Sequence, residues 1–379
     1  PRSTLDRSSA ASDVYKRQSL SYASNLVRLH RTEGDIHAMD AYRPTIGLTV
    51  GDPAGIGPEI TVNCLREEGI YERVKPVVYA DRAILEQTVK TQALDIDLNP
   101  VDNPAEGYYE PGCIDYIDCD VLRGPIAYGQ ISAEGGQAGY TYLERAIEDA
   151  LTGNVVGLCT APLNKESLQA AQVPFIDHTA VLKARAAQHD PMTLFMVRTL
   201  RIFFLTRHIS FRQIPDAITR EGLIEALPFC DLYLRQLGIG EPTVAVAALN
   251  PHGGEQGLFG TDEMDVIGPA TEEAINKGWR VCGPVPADSV FNQCYEGRYD
   301  GVLSLYHDQG HIAAKTLDFH GTVSLTMGLK FLRTSVDHGT AFDIAGRGVA
   351  DARGMVEALK AAGQYAASVR ASIDLAPVS

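Results

Sequence analysis

The sequence holds no long apolar run, no block of positive charge and no paired-cysteine motif. No stretch approaches the roughly 18 uninterrupted apolar residues of a membrane span, and the N-terminal region has no compact apolar signal core. Cytoplasm is therefore the expected compartment. The formal net charge is -15, from 48 Asp and Glu against 33 Lys and Arg. Phosphate backbones and anionic membranes attract clustered Lys and Arg, so neither nucleic acid nor membrane is an expected partner. A small anion would need a local basic pocket. The seven cysteines (Cys64, Cys113, Cys119, Cys159, Cys230, Cys282 and Cys294) are scattered without a CxxC pair or a disulfide-like rhythm, the pattern of reduced thiols.

What is present is a chain of 379 residues with 45% hydrophobic content, enough for a substantial core and two or three structural units. Residues 1–40 differ from the rest, being rich in Ser and Arg, poor in apolar periodicity and starting with Pro1. That segment is expected to be disordered or foreign to the native protein, with Met39 as the expected start. Beyond it, short apolar strands alternate with longer amphipathic stretches, which predicts an α/β fold with much parallel sheet. Strands are expected at 45–50, 76–80, 155–160, 201–206, 243–249, 301–306 and 322–327. Helices are expected at 58–68, 138–152, 179–188, 215–237, 264–277 and 353–370. The stretches 103–112 and 123–137 carry the turn residues expected where the chain passes between subdomains.

Three of these strands end at a histidine: His208 follows 201–206, His252 follows 243–249 and His307 follows 301–306. Parallel strands present their carboxyl ends on one edge of an open α/β sheet, where ligands bind. Any one such histidine alone reads as an ordinary loop or cap residue. Three together are the usual supply for a metal that keeps open positions for substrate. Asp308 either orients an imidazole or caps the following helix. His311 and His320 lack the strand-end placement and read as structural or surface residues.

The stretch 47–59, GLTVGDPAGIGPE, reads as strand, glycine turn and helix entered through Pro58. Its glycines, Gly51, Gly55 and Gly57, match neither GxGxxG nor the P-loop. A second glycine-rich stretch, 336–351, holds Gly339, Gly346 and Gly348 beside Asp343 and Arg347, and by pattern alone it is a surface loop. Lys315 and Arg333 could anchor a carboxylate or phosphate, Arg by bidentate bonds. Lys165 sits at the end of strand 155–160, where a lysine could shuttle a proton or hold an anion.

The series GDPAGIGPEI, TAPLNKE, NPHGGEQGLFG, YHDQGH and RTSVDHGTAFDIAGRG, in that order from about residue 44 onward, resembles the 4-hydroxythreonine-4-phosphate dehydrogenase (PdxA) family, closer to its D-threonate and D-erythronate 4-phosphate branch. The resemblance implies an isocitrate/isopropylmalate dehydrogenase-like fold of two α/β subdomains around a cleft. Residues 41–130 and 301–379 would form the cofactor side, and 131–300 the metal and dimer side. It assigns His208, His252 and His307 to a divalent metal (zinc, cobalt or magnesium), completed across a homodimer interface so that one histidine comes from the partner. It assigns His178, Thr179, Lys315, Ser324 and Arg333 to an anionic, phosphorylated substrate, and His338, Gly339, Thr340, Ala341, Asp343 and Gly346 to a cofactor loop for NAD, or NADP.

The chemistry so implied is oxidation of a secondary alcohol by hydride loss to the nicotinamide, with decarboxylation where the product is a β-keto acid. For the proton transfer itself the candidates are Lys165 or a metal-bound water, and Asp308 is the catalytic candidate among the carboxylates if it orients an imidazole rather than capping the helix. The family usually has a glycine at Asp177, a glutamate at Ala180 and an asparagine at Ser324, departures that bear on the substrate rather than the metal. Other readings are a dehydrogenase of a cis-dihydrodiol dicarboxylate and a non-redox metal-dependent lyase or hydrolase on the same fold.

Overall fold

A computed structural model describes residues 42–374 of the chain. The strands are β1 Thr45–Thr49, β2 Lys75–Ala80, β3 Asp97–Pro100, β4 Cys113–Asp118, β5 Gly157–Thr160, β6 Ala187–Val197, β7 Leu200–Phe204, β8 Val244–Ala247, β9 Val281–Val285, β10 Gly301–Ser304, β11 Val323–Leu329 and β12 Leu332–Val336. They form one 12-stranded sheet in the order β3-β4-β2-β1-β5-β12-β11-β6-β7-β10-β8-β9. The first six pair in parallel, and so do the last four. Between these blocks, β11 and β6 run antiparallel to their neighbours. The reversals leave the two parallel blocks pointing in opposite directions.

The main helices are α1 Gly57–Cys64, α2 Arg82–Thr91, α3 Ala133–Thr152, α4 Lys165–Ala170, α5 His178–Ala186, α6 Arg220–Gln236, α7 Gly268–Asn276, α8 Ala287–Tyr295, α9 His307–Leu317 and α10 Arg353–Asp374. Local chemistry sets their starts: the side chains of Ser132, Asn164 and Asp177 accept the N–H groups of Gly135, Ser167 and Ala180 at the heads of α3, α4 and α5. α3 stops at Gly153, whose φ of 88° is left-handed. Its glycine-rich first turns were outside the expected 138–152. They allow close approach, because a Cβ at Gly136 would lie 2.0 Å from the Ser167 carbonyl oxygen.

The α/β class expected from the alternating pattern is the observed one. β5, β8 and β10 are buried at every position and β1 at all but one, so they read as continuous apolar runs. β3, β4, β6, β9 and β12 were not expected. β3 lies at a sheet edge with partly exposed residues, while β12 (LRTSV) is buried but polar. α2, α4, α8 and α9 were likewise missed.

The expected boundaries near 130 and 300 do not follow the sheet. β5, from the segment 131–300, pairs with β1 and β12 in the first block. β10, from the segment 301–379, pairs with β7 and β8 in the other. Nor do 103–112 and 123–137 cross between blocks: the former joins β3 to its neighbour β4, and the latter leads into α3, which returns to β5. The chain crosses over 161–186, between β5 and β6, and over 305–322, between β10 and β11. The expectations for residues 1–40 and Met39 lie outside the described residues.

Among the described residues, no helix is long and apolar enough to cross a membrane. All seven cysteines are free thiols.

Candidate active site

Both crossings carry residues singled out in the sequence: Lys165, His178 and Thr179 on the first, and His307, Asp308 and Lys315 on the second. Alternation along β12 puts Arg333, Ser335 and the following Asp337 on one face of the sheet. Thr326 and Ser324 on β11 oppose Arg333 and Ser335, and Thr193 on β6 opposes Thr326. A polar row thus runs across the middle of the sheet, where the antiparallel strands lie.

A pocket of about 420 Å³ opens over this row, lined by Thr160, Lys165, Asp177, His178, Arg333, Ser335, Asp337, His338 and Gly339 among others. At its base Arg333 is 7% exposed. It donates from Nε and Nη2 to Thr160 Oγ1 at 2.9 and 2.7 Å, and from Nη1 to Thr326 Oγ1 at 3.2 Å. These partners are neutral hydroxyls. Burial pulls its guanidinium down to about 10, with Cys159 and Asp177 opposing the shift. A buried cation without an ion-paired carboxylate is costly unless an anion arrives.

His178, at the head of α5, is held well below its ordinary value by burial and then by Arg333, while a hydrogen bond to the Ala161 backbone opposes that shift. Its ring is neutral, and the buried Nε2 has no partner. Thr179 follows it in the first turn, and Ser324 faces the pocket-lining Ser335 across the strand pair. Lys315 Nζ lies 2.6 Å from Asp337 Oδ2 and 3.3 Å from the Asp337 carbonyl oxygen. Its contact with Oδ2 is an ion pair rather than an aligned hydrogen bond.

The metal candidates are brought together only in part. His208 and His307 approach to 5.8 Å between ring centroids and share a smaller pocket of about 210 Å³. His307 Nδ1 lies 2.6 Å from Asp308 Oδ1, while α9, entered from Tyr306, has no side-chain cap. Burial, then Arg207, His307 and Lys165, lower the pKa of His208, against Asp177. His252 does not join them. It starts a run of left-handed residues, 252–256, with its ring 63% exposed and Nδ1 2.9 Å from Glu255 Oε1. Among the described residues, no three His, Cys, Asp or Glu side chains could hold a metal ion together. Within one chain the strand ends thus bring together His208 and His307, while His252 stands apart on the left-handed turn.

The two glycine stretches meet. The Ile56 amide donates to the Thr340 carbonyl oxygen at 3.0 Å, and the Ala350 amide to Glu59 Oε1 at 2.8 Å. A Cβ at Gly55 would lie 2.8 Å from the Thr340 oxygen. Ala341 takes a φ of 40°, and Gly346 takes 74° with its open side against Tyr128. Thr340 is buried, while His338, Gly339 and Asp343 are exposed. The space beside Gly339 is empty to 4 Å. Pattern alone made 336–351 a surface loop, yet its root belongs to the pocket wall.

Sequence reasoning missed Thr160, Arg207 and Asp337, and marked Asp177 only as a departure from the family's glycine. A polar strand end was the available signal for Thr160 and Asp337. Arg207 gave none, because its place depends on the antiparallel register.

A buried guanidinium without a carboxylate partner, set beside an imidazole in an open pocket, is equipment that suits an α/β enzyme acting on a small molecule. The chain matches the family described as Pyridoxal phosphate biosynthetic protein PdxA over residues 72–362, and it belongs to that family. It is 49% identical over 329 residues to a Symbiobacterium thermophilum protein named "Putative D-threonate 4-phosphate dehydrogenase", covering 86% of this chain and 98% of the relative. A Halalkalibacterium halodurans protein of the same name is 49% identical over 325 residues, covering 86% and 97%. Among solved structures, the 4-hydroxythreonine-4-phosphate dehydrogenase of Klebsiella pneumoniae superposes with a TM-score of 0.79 at 39% identity, covering 85% of this chain and 99% of that one. This chain is accordingly an oxidoreductase, a dehydrogenase of the PdxA family.

Proposed function

We propose that the enzyme oxidises the secondary alcohol of a small phosphorylated hydroxy acid, of the D-threonate, D-erythronate or 4-hydroxythreonine 4-phosphate type, using NAD and a divalent cation, as a cytoplasmic homodimer. The observation that carries this reading is Arg333, a buried guanidinium bonded only to hydroxyls at the base of the pocket. The names of the relatives supply the substrate type. Lys165 on the pocket wall adds positive charge, and Lys315 does so once an anion competes with Asp337 for it. His178, neutral with a free nitrogen, accepts a hydrogen bond from a substrate hydroxyl. Lys165, exposed at the head of α4, carries the released proton to solvent.

Within one chain the donor set for a cation is incomplete. His208 and His307 would supply two nitrogens, and His252 of a second copy the third; its exposure and the exposed Leu258, Phe259 and Met264 nearby in sequence support that arrangement. A bound cation would supply Lewis acidity at the alcohol. On the loop 338–348, the exposed Asp343 suits a ribose diol and repels a 2′-phosphate, which favours NAD over NADP.

The test follows absorbance at the NADH band with zinc, cobalt or magnesium added, presenting each of the three phosphorylated acids and a cis-dihydrodiol dicarboxylate, with His307→Ala and Arg333→Met as controls. Metal-dependent NADH formation from a phosphorylated acid, lost in both controls, is the expected result. Turnover of the dicarboxylate alone would move the substrate to that class, and absence of NAD binding would sink the cofactor assignment.

A further inference from the structure

The polar row carries a second guanidinium. Arg207, between β7 and His208, donates from Nη1 to Thr193 Oγ1. Thr193 is the cross-strand partner of Thr326, the residue that receives Arg333. Directly opposed residues on neighbouring strands hold their Cβ atoms about 5 Å apart on the same face. The two arginines therefore reach adjacent hydroxyls from opposite sides, Arg333 from β12 and Arg207 from beyond β7.

Arg207 makes no ion pair among the described residues. The acids whose charge it feels are Asp177 and Asp190. Asp177 is taken by the Ala180 amide and Asp190 by Lys183. Arg207 lines the pocket that holds His208 and His307, whereas Arg333 lines the one that holds Lys165 and His178. Two guanidinium groups with only hydroxyl partners, bonded to hydroxyls on neighbouring strands and reaching them from opposite sides, suit a ligand with two anionic ends. The hydroxyls stand about 5 Å apart and the arginines outside them, which leaves room for a chain of several bonds between those ends.

We propose that Arg207 is a specificity-determining residue that grips the carboxylate of the substrate while Arg333 holds its phosphate. This deepens the function proposed above and rests on it. The assignment of ends follows from charge. Asp177 weighs on both arginines, but Lys165 lines the pocket of Arg333, which suits a dianion, whereas Asp190 weighs further on Arg207, which suits a monoanion. Arg207 also places the carboxylate beside the two imidazoles, next to the alcohol to be oxidised.

The test is equilibrium calorimetry on the full chain with metal supplied, using D-threonate 4-phosphate, D-threitol 4-phosphate, in which an alcohol replaces the carboxylate, and inorganic phosphate. Arg207→Gln should weaken D-threonate 4-phosphate by about 30-fold or more, the scale of a lost charge-assisted bidentate contact, and leave the other two within about twofold. Thr193→Val, which frees Arg207 without removing it, should give the same pattern at about 3- to 10-fold, and it carries the test should Arg207→Gln fail to fold. Equal weakening of all three ligands, or no change for D-threonate 4-phosphate, overturns the proposal. Phosphate binding lost in Arg333→Met, with Arg207→Gln silent, overturns the role of Arg207 alone. No binding of any ligand to the unmodified protein removes the underlying function as well.

Discussion

His311 lies flat on His307, with ring centroids 3.6 Å apart and planes within 14°. Its Nδ1 is 2.8 Å from the His307 carbonyl oxygen. A carbonyl only accepts, so His311 Nδ1 carries the proton. His307 in turn meets Asp308 through Nδ1, which leaves its Nε2 as the free nitrogen. Phe195 and Phe204 hold the His311 ring at 4.3 and 4.7 Å.

The sequence marked His311 as structural or surface, and its stack on His307 predicts in addition that it fixes that ring. His311→Phe keeps an aromatic plane and loses one donor, so stability should change by only about 1 kcal/mol. His311→Ala also opens a cavity and should cost about 2–4 kcal/mol. Both should lower kcat/KM by about tenfold or more, because the His307 ring is no longer fixed. Urea unfolding and initial rates check this. Unchanged kcat/KM in His311→Phe would make the stack purely structural.

Acid should destabilise the fold partly through His178. Burial first, and Arg333 second, hold its pKa well below the ordinary value, while in the unfolded chain it titrates near 6.5. Between those values the unfolded state binds more protons. Stability from this group is thus fully present above about 6.5 and is lost as pH falls toward the folded value, by up to about 1.4 kcal/mol per pH unit. Between pH 7.5 and 5.0, His178→Asn should lose about 1–2 kcal/mol less than the unmodified protein in denaturant unfolding. Identical losses would shift the acid sensitivity to other groups.

The contact of Gly55 with Thr340 should matter for cofactor binding and not for anion binding. A Cβ at Gly55 would lie 2.8 Å from the Thr340 oxygen and 2.9 Å from its Cβ, so Gly55→Ala must push the turn 51–57 off the loop 338–348. The expected outcome is a loss of about 1–3 kcal/mol in stability and a fall of about tenfold in NADH affinity by fluorescence titration. Phosphate binding at Arg333 should stay within about twofold. NADH binding equal to that of the unmodified protein would detach this loop from the cofactor.

Legibility in the sequence followed burial. β5, β8 and β10 were readable because interior parallel strands are apolar on both faces. β12 was not, because Arg333 and Ser335 face a pocket and break the apolar run. The histidines after β7 and β10 come together because those strands are neighbours. The histidine after β8 stands apart within one chain, although β8 also neighbours β10. Whether a strand-end residue reaches the site depends on the turn that follows, and the left-handed run 252–256 has no signature beyond its glycines.

By itself, then, the amino-acid order determined the α/β class, the principal buried strands, the two glycine stretches and most of the charged and imidazole groups the site employs. These are local properties, encoded in apolar runs, turn residues and ordered motifs. Only the tertiary structure decided that the two parallel blocks oppose each other across β11 and β6, and that Thr193 and Thr326 stand side by side beneath Arg207 and Arg333. Antiparallel register joins residues more than a hundred positions apart, and a one-residue slip would turn every side chain of that row to the other face.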